Sequence, residues 1–289
     1  MKAWLLRILA VTALAAPFPI LAQVAATVEG VQMPAWVERA GKRLPAIAGM
    51  ELRAGDNVVT GPGSRMLVKL AEGSLVKLGE NGQLRFAEIS PRADLFRAAL
   101  NVLEGAFRFT TDALAKTARR REVSIRVAQV TAGIRGTDLW GRSRKDNEIV
   151  CLIEGAIEVG AEGERPVQMN VPLQFFRRID AKTQPVGSVE VSQLAQWAAE
   201  TEIAEGKGAA RAGGKFSVDV GSFGEQKGAL ALYDELRNAG YGAELRPVKD
   251  ADKIVYLVRI RHLPSRAEAQ ALADSLKGRF GIAEPKISG

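Results

Sequence analysis

Histidine, cysteine and long apolar runs are scarce in this chain, and each scarcity removes a class of function. His262 is the single histidine and Cys151 the single cysteine. One thiol cannot close an internal disulfide, and one imidazole cannot build a histidine cluster around zinc. A Ser-His-Asp triad would have to work from His262, and no G-x-S-x-G elbow accompanies it. Neither a G-x-x-x-x-G-K-[ST] nor a G-x-G-x-x-G phosphate loop occurs. Asp56, Glu72, Glu104, Asp138 and Glu154 all read as turn residues, where short polar side chains help the backbone fold back. A glycosidase would need two carboxylates facing each other across a cleft, which spacing alone does not provide. The expectation is a protein without catalytic residues, metal or cofactor. Past the N-terminal stretch no segment reaches the roughly 20 apolar residues needed to cross a bilayer.

What is present begins with an export signal. Lys2 and Arg7 precede an apolar run, Ile8 to Leu21, that is broken by Pro17 and Pro19. Ile20-Leu21-Ala22 places a small residue before a cleavage point at Gln23, so residues 1–22 read as a secretory signal peptide. No cysteine follows Ala22, which argues against a lipid anchor. The mature chain is therefore expected in the periplasm, with no stable membrane span after signal cleavage. Its formal charge of +7 falls to +5 once Lys2 and Arg7 leave. That is mild over this length, and an exported chain meets acidic wall polymer rather than nucleic acid.

From about residue 24 to 186 the pattern is all β. Short apolar runs such as Asn57–Thr60, Met66–Leu70, Leu75–Leu78, Val123–Val127 and Ile149–Leu152 alternate with glycine-containing segments. Those segments include Ala54-Gly55-Asp56, Glu72-Gly73, Glu104-Gly105, Gly133 to Gly136 and Glu154-Gly155, all read as turns. A sandwich, barrel or solenoid would accommodate them. Leu103-Glu104-Gly105-Ala106-Phe107 and Ile153-Glu154-Gly155-Ala156-Ile157 echo each other, with Ala71-Glu72-Gly73-Ser74-Leu75 a looser third copy, and the three are expected to be equivalent hairpins. Cys151, among Ile149, Val150, Leu152 and Ile153, reads as a small buried strand residue.

Residues 187–214 read as a helical segment followed by a linker. Ser192 could cap a helix over 191–204 whose stripe is Leu194, Trp197 and Ala198, with Glu200 and Glu202 facing away. Glu205 to Gly214 holds four glycines and no large apolar residue, the composition of a mobile linker.

The last part, 215–289, follows the order β-α-β-β-α-β. Phe216, Val218 and Val220 alternate with Ser217, Asp219 and Gly221. Ser222 with Glu225, and Ser265 with Glu268, have the spacing of capping boxes. The first helix carries Ala229, Leu232, Tyr233 and Leu236 and stops near Gly240, while the second carries Ala269, Leu272, Ala273, Leu276 and Phe280. Two helices on one side of a four-stranded antiparallel sheet leave its other face open.

Two family resemblances accompany these patterns. Residues 24–186 resemble the FecR domain through Leu52-Arg53-Ala54-Gly55-Asp56-Asn57-Val58-Val59-Thr60-Gly61, Glu72-Gly73-Ser74-Leu75, Ile134-Arg135-Gly136-Thr137-Asp138 and Glu154-Gly155-Ala156-Ile157-Glu158-Val159. That resemblance implies a β-rich domain binding a ligand or an envelope protein partner outside the cytoplasm. Its signalling role is not expected to carry over without an anti-sigma segment and a membrane span. Residues 215–289 resemble the SPOR (sporulation-related repeat) domain through Val218 to Phe223, the Ala239-Gly240-Tyr241 turn, Tyr256 to Ile260 and Ser265 to Ala269. It implies a ferredoxin-like α+β fold that binds peptidoglycan glycan strands stripped of their stem peptides, in cell division at the Gram-negative envelope. Asp219 replaces the Gln usual in the family, and Arg261-His262-Leu263-Pro264 replaces a Gly-Pro-Phe-like turn.

On that resemblance the glycan-binding candidates are Ser217, Asp219, Ser222, Arg246, Leu257, Arg259 and Arg261. Arginine can fork onto a lactyl carboxylate, Ser and Asp can bond sugar hydroxyls, and Leu257 offers an apolar surface to a ring. Three outcomes follow: a periplasmic peptidoglycan-binding protein, a protein-protein scaffold or signalling protein centred on the FecR-like region, or a wall hydrolase.

Overall fold

In a computed structural model, residues 24–91, 95–111, 120–250 and 253–289 are described. The export signal read at residues 1–22 lies outside them. The first region contains β1 (Ala26–Gln32), β2 (Ala35–Arg39), β3 (Lys42–Pro45), β4 (Glu51–Leu52), β5 (Asn57–Thr60), β6 (Arg65–Leu70), β7 (Leu75–Leu78), β8 (Gln83–Pro91) and β9 (Leu95–Thr110). It continues through β10 (Arg120–Val127), β11 (Val130–Arg144), β12 (Asn147–Ala161), β13 (Val167–Met169), β14 (Gln174–Ile179), β15 (Lys182–Thr183) and β16 (Gly187–Ser188) to helix α1 (Val191–Ala199) and β17 (Ala210–Arg211). The C-terminal domain is β18 (Phe216–Phe223), α2 (Gln226–Asn238), β19 (Ala243–Asp250), β20 (Lys253–Leu263), α3 (Arg266–Leu276) and β21 (Lys286–Ser288). The protein is thus strand-rich and has two domains.

Alternation explains the strands of the first region. Along β6 the buried residues are Met66, Val68 and Leu70, and along β9 they are Phe96, Ala98, Leu100 and Val102. All meet in one core with Phe86, Phe107 and Phe109. Cys151 is fully buried on β12, where desolvation pushes its thiol up to about 12.

Two expected hairpins are instead bulges within long strands. Glu104-Gly105 lies inside the 16 residues of β9, and Glu154-Gly155 lies inside the 15 residues of β12. Gly136, expected in a turn, is likewise inside β11. Gly105 and Gly155 have φ of +88° and +91°, a left-handed backbone that inserts one residue without ending the strand. Pairing shifts register at both places. A Cβ on Gly105 would stand 2.6 Å from the Gly82 Cα, and one on Gly155 would stand 2.6 Å from the Gly136 carbonyl oxygen. Only the third copy, at Gly73, joins two paired strands, β6 and β7.

Helix α1 also departs from expectation. Its N-cap is Glu190, not Ser192, and no side chain caps it. Trp197 does dock it, stacking on the fully buried Trp140 at 4.8 Å between centroids with Phe175 edge-on. Such a pair adds about 0.5–1.5 kcal/mol beyond its buried area. Glu200 and Glu202 turn inward rather than away. Glu200 pairs with Arg142 at 2.8 Å, and Glu202 pairs with Lys77 at 2.5 Å and Arg108 at 3.2 Å.

The glycine-rich segment after α1 has partners, contrary to the mobility its composition predicts. β17 pairs with β1, Gly30 opposite Arg211 and Val31 opposite Ala210. The Glu268 carboxylate, 7% exposed, accepts the backbone N–H groups of Gly206, Gly208 and Ala209 at 2.7, 2.7 and 3.0 Å. Ser265 Oγ caps α3 through the Glu268 N–H at 3.2 Å. The return arm of the capping box is missing because the Glu268 side chain is committed to this turn.

A second junction joins the C-terminus of α2 to β2. The N–H groups of Gly240 and Tyr241 bond to the carbonyls of Arg237 and Leu236, so the helix ends in a Schellman motif with Gly240 at φ +86°. The Gly240 carbonyl then accepts the Ala35 N–H at 3.1 Å, and Trp36 Nε1 donates to the Asn238 carbonyl at 3.2 Å. Arg43 covers the Trp36 ring, 4.0 Å from its centroid.

Candidate functional site

The C-terminal sheet has the order β19-β20-β18-β21, antiparallel throughout. Val218, Val220, Val258 and Ile260 are buried with Ala229, Leu232 and Leu236 of α2 and Ala269, Leu272, Ala273 and Leu276 of α3. Phe280 lies beyond α3, half-buried, with its ring edge-on to Tyr241. Both helices take one face of the sheet, so the intervening side chains meet on the other.

Register builds a charged row across all four strands of that open face. Lys286 stands opposite Asp219, Asp219 opposite Arg259, and Arg259 opposite Glu244. Sign therefore alternates strand by strand, the favourable cross-strand arrangement. Arg259 Nε lies 3.0 Å from Asp219 Oδ1, and each side chain is 19% exposed. Arg261 reaches Glu244 at 3.5 Å and is more open to solvent, at 45%. A second row brings Ser222, Leu257 and Arg246 side by side. Ser222 and Arg246 are exposed and Leu257 is half-buried.

Six of the seven candidates thus reach one surface. Ser217 differs: it is buried, and its hydroxyl lies 2.9 Å from Ser288 Oγ, which in turn donates to Asp219 Oδ2 at 3.2 Å. Ser222 does not cap α2, whose N-cap is Glu225 without a side-chain bond, and this leaves its hydroxyl on the face. Lys286 and Ser288 escaped sequence reasoning because a last strand known only to follow Gly281 has no register. Counting Lys286, Arg246, Arg259 and Arg261 against Asp219 and Glu244, the face has a net charge of +2. It suits an extended ligand with sparse negative charge and many hydroxyls.

The strand-rich region offers a different surface. Glu88, Ala99, Ser124, Gly133, Glu158 and Gln168 are consecutive register partners from β8 to β13. They line an open cavity of about 890 Å³, with the Arg97–Glu122 ion pair, 2.7 Å, at its side. Outside this cavity, two acids of the strand-rich region, Asp56 and Asp138, serve the fold. Asp56, 1% exposed, holds Arg39 through two bonds of 2.8 and 2.6 Å, and Asp138 holds Arg108 through two of 3.0 and 2.7 Å. These carboxylates raise both guanidinium pKa values above the ordinary range. Among the described residues, no group of three His, Cys, Asp or Glu side chains could hold a metal ion, and no helix is long and apolar enough to cross a membrane.

A family model for the SPOR domain matches residues 212–283, and one for the FecR protein matches residues 56–158. The chain therefore carries both domains, and the first implies peptidoglycan binding. Two crystal structures of a candidate anti-sigma factor from Parabacteroides distasonis are similar at a TM-score of 0.40 and 14% identity, over 76% of this chain and 89% of that one. No curated protein matches the chain.

Proposed function

We propose that this chain is an exported, non-enzymatic envelope protein whose SPOR domain binds glycan strands of peptidoglycan, with denuded septal glycan as the preferred form. The observation that carries this reading is the alternating row Lys286, Asp219, Arg259 and Glu244, flanked by Arg246 and Arg261, on a helix-free sheet face. Removal of stem peptides leaves one lactyl carboxylate on each muramic acid. A face of net +2 spread over a four-stranded sheet matches that low charge density better than the dense charge of a phosphate polymer. Arg261 and Arg246 are the exposed cations that would meet carboxylates first, and Ser222 would bond hydroxyls. The FecR-like domain would engage a second envelope partner, and the SPOR domain would place that partner at the wall.

The test is sedimentation of the purified protein with intact and amidase-treated sacculi. Retention on treated sacculi that Arg261→Ala weakens, and that falls with added salt, supports the reading. Equal, weak retention on both preparations would remove it.

A scaffold is the second reading, and the Asp219–Arg259 pair favours it. An arginine neutralised within the sheet, 19% exposed, needs no ligand. In that case the FecR-like domain would carry the main function, including envelope signalling, and the SPOR domain would be a folded spacer.

A further inference from the structure

We infer that the outer edge of β19 is a docking site for an extended, acidic segment of another polypeptide, added as a fifth strand to the C-terminal sheet. Among the described residues, β19 lies at the end of the sheet and pairs only with β20. Pro247 has no N–H, and within a sheet proline is confined to positions whose N–H would point away from the ladder. Ala243 has the same parity, and its N–H bonds to the Tyr241 carbonyl rather than to β20. By alternation the N–H and carbonyl of Leu245 point outward too, as do the carbonyls of Ala243 and Pro247.

An exposed edge is ordinarily shielded by proline and charge. Here Pro247 and Lys249 shield only its far half. The near half, Ala243 to Arg246, forms one wall of a groove of about 460 Å³. Leu230 and Tyr233 of α2 form the opposite wall, and Ile47 closes the end from the neighbouring domain. All but Ile47 of the lining belongs to the C-terminal domain. Leu230 is 38% exposed and lines the groove, so an apolar side chain there is open to an incoming strand.

Charge selects the occupant. Arg237 lies over the Tyr233 ring at 5.1 Å, and neither it nor Arg246 forms an ion pair among the described residues. Glu244, the acid in the lining, already faces Arg261. A strand added beside Leu245 would alternate its side chains, one set entering the groove and the other lying beside Arg246 on the open face. The complementary sequence alternates apolar and acidic residues, a strand-addition mode in which main-chain bonds give affinity and side-chain pockets give specificity. This site is separate from the proposed glycan face, although Arg246 borders both.

The probe is a fluorescent decapeptide of alternating valine and glutamate, with lysine replacing glutamate in the control, added to the full-length protein. The acidic peptide is expected to bind and to slow hydrogen exchange at the Leu245 amide, and the lysine peptide is not. Leu230→Glu and Arg237→Glu change exposed or half-exposed side chains, so the fold is retained, and each should weaken binding at least tenfold. Lys286→Ala, on β21 at the opposite edge of the sheet, should leave peptide binding intact whatever it does to glycan, so failure of one site is separable from failure of the other. Absence of acidic-peptide binding, or binding without protection of Leu245, would overturn the inference. Protection of Leu245 by amidase-treated glycan in place of the peptide would overturn it in favour of a glycan subsite.

Discussion

Glu268 Oε2 accepts the backbone N–H of Gly208 at 2.7 Å, and through this bond the last helix holds the chain segment that leads out of the first domain. Gly208 suits the position because its φ is +76° and a Cβ would meet Leu272 backbone atoms at 2.9 Å. The same carboxylate takes two further N–H groups, from Gly206 and Ala209. Trp36 and Ala35 of β2, bonded to the Asn238 and Gly240 carbonyls at the end of α2, add a second contact that joins the domains.

Trypsin and other proteases are expected to cut slowly between residues 205 and 214 in the native protein. Glu268→Ala should make that segment sensitive, because three N–H groups lose their acceptor. A hydrogen bond to a charged group contributes on the order of 1.5–3 kcal/mol, so docking should weaken by at least about 2 kcal/mol. Fragment masses over a time course test this. Rapid cleavage of the parent protein within that segment would mean that the domains are not docked in solution.

How much was readable beforehand depends on whether the cause was local. Periodicity located β18, α2, β19, β20 and α3, since each buries one stripe on a single core. It also placed Asp219, Arg246, Leu257 and Arg259 on the open side, because strand alternation is a local rule. At residues 205–214 composition predicts a mobile linker, whereas the glycines Gly206 and Gly208 form a left-handed turn around Glu268, and a one-dimensional reading cannot distinguish the two. The Glu-Gly echoes failed for the same reason, since a left-handed glycine opens a hairpin or a bulge depending on the neighbouring strand. Lys286 needed a register that no local pattern carries.

Gly155→Ala tests the bulge. Its φ of +91° strains any residue with a Cβ, and that Cβ would sit 2.6 Å from the Gly136 oxygen. Strain of this kind costs roughly 1–3 kcal/mol, before the clash is relieved. Chemical denaturation should show a lower midpoint for Gly155→Ala than for an alanine at Gly163, which also has positive φ but nothing within 4 Å. Equal losses at both sites would mean that the bulge tolerates a side chain.

Cys151 should be inert to thiol reagents in the native state at pH 8. Burial disfavours its thiolate, the reactive form, and moves its titration up to about 12. Reaction should become complete in denaturant, and its rate in the native protein should follow global unfolding. Fast modification at pH 8 without denaturant would show that β12 opens locally.

Glu72 lends itself to a pH experiment. Burial raises its carboxyl above the ordinary value, with Ser74 and Arg121 opposing in part. The folded state therefore keeps the proton to higher pH than the unfolded state does. Stability from this group is fully present below the unfolded value, and is lost as pH rises through the folded one. Glu72→Gln should accordingly stabilise the protein at neutral pH and have little effect in acid. Thermal melts of both proteins across that window give the answer, and a constant difference at all pH values would assign the effect to packing instead.

Asp219 decides between the two readings of the open face. It holds Arg259 at 3.0 Å and receives a bond from Ser288, so it withdraws one cation from the surface. If the face meets lactyl carboxylates, Asp219→Asn removes a repelling charge and frees that guanidinium, and glycan binding should tighten several-fold at low salt. The gain should shrink as salt screens it, with a Debye length of about 10 Å at 0.1 M. A spacer fold predicts the opposite pattern: no glycan affinity in either protein, and a small loss of stability from the broken pair. Sedimentation with amidase-treated sacculi at two salt concentrations, beside a thermal melt of each protein, separates the two. Weaker glycan binding by Asp219→Asn would show that Asp219 itself bonds the sugar, and that the arginine it holds is already correctly placed.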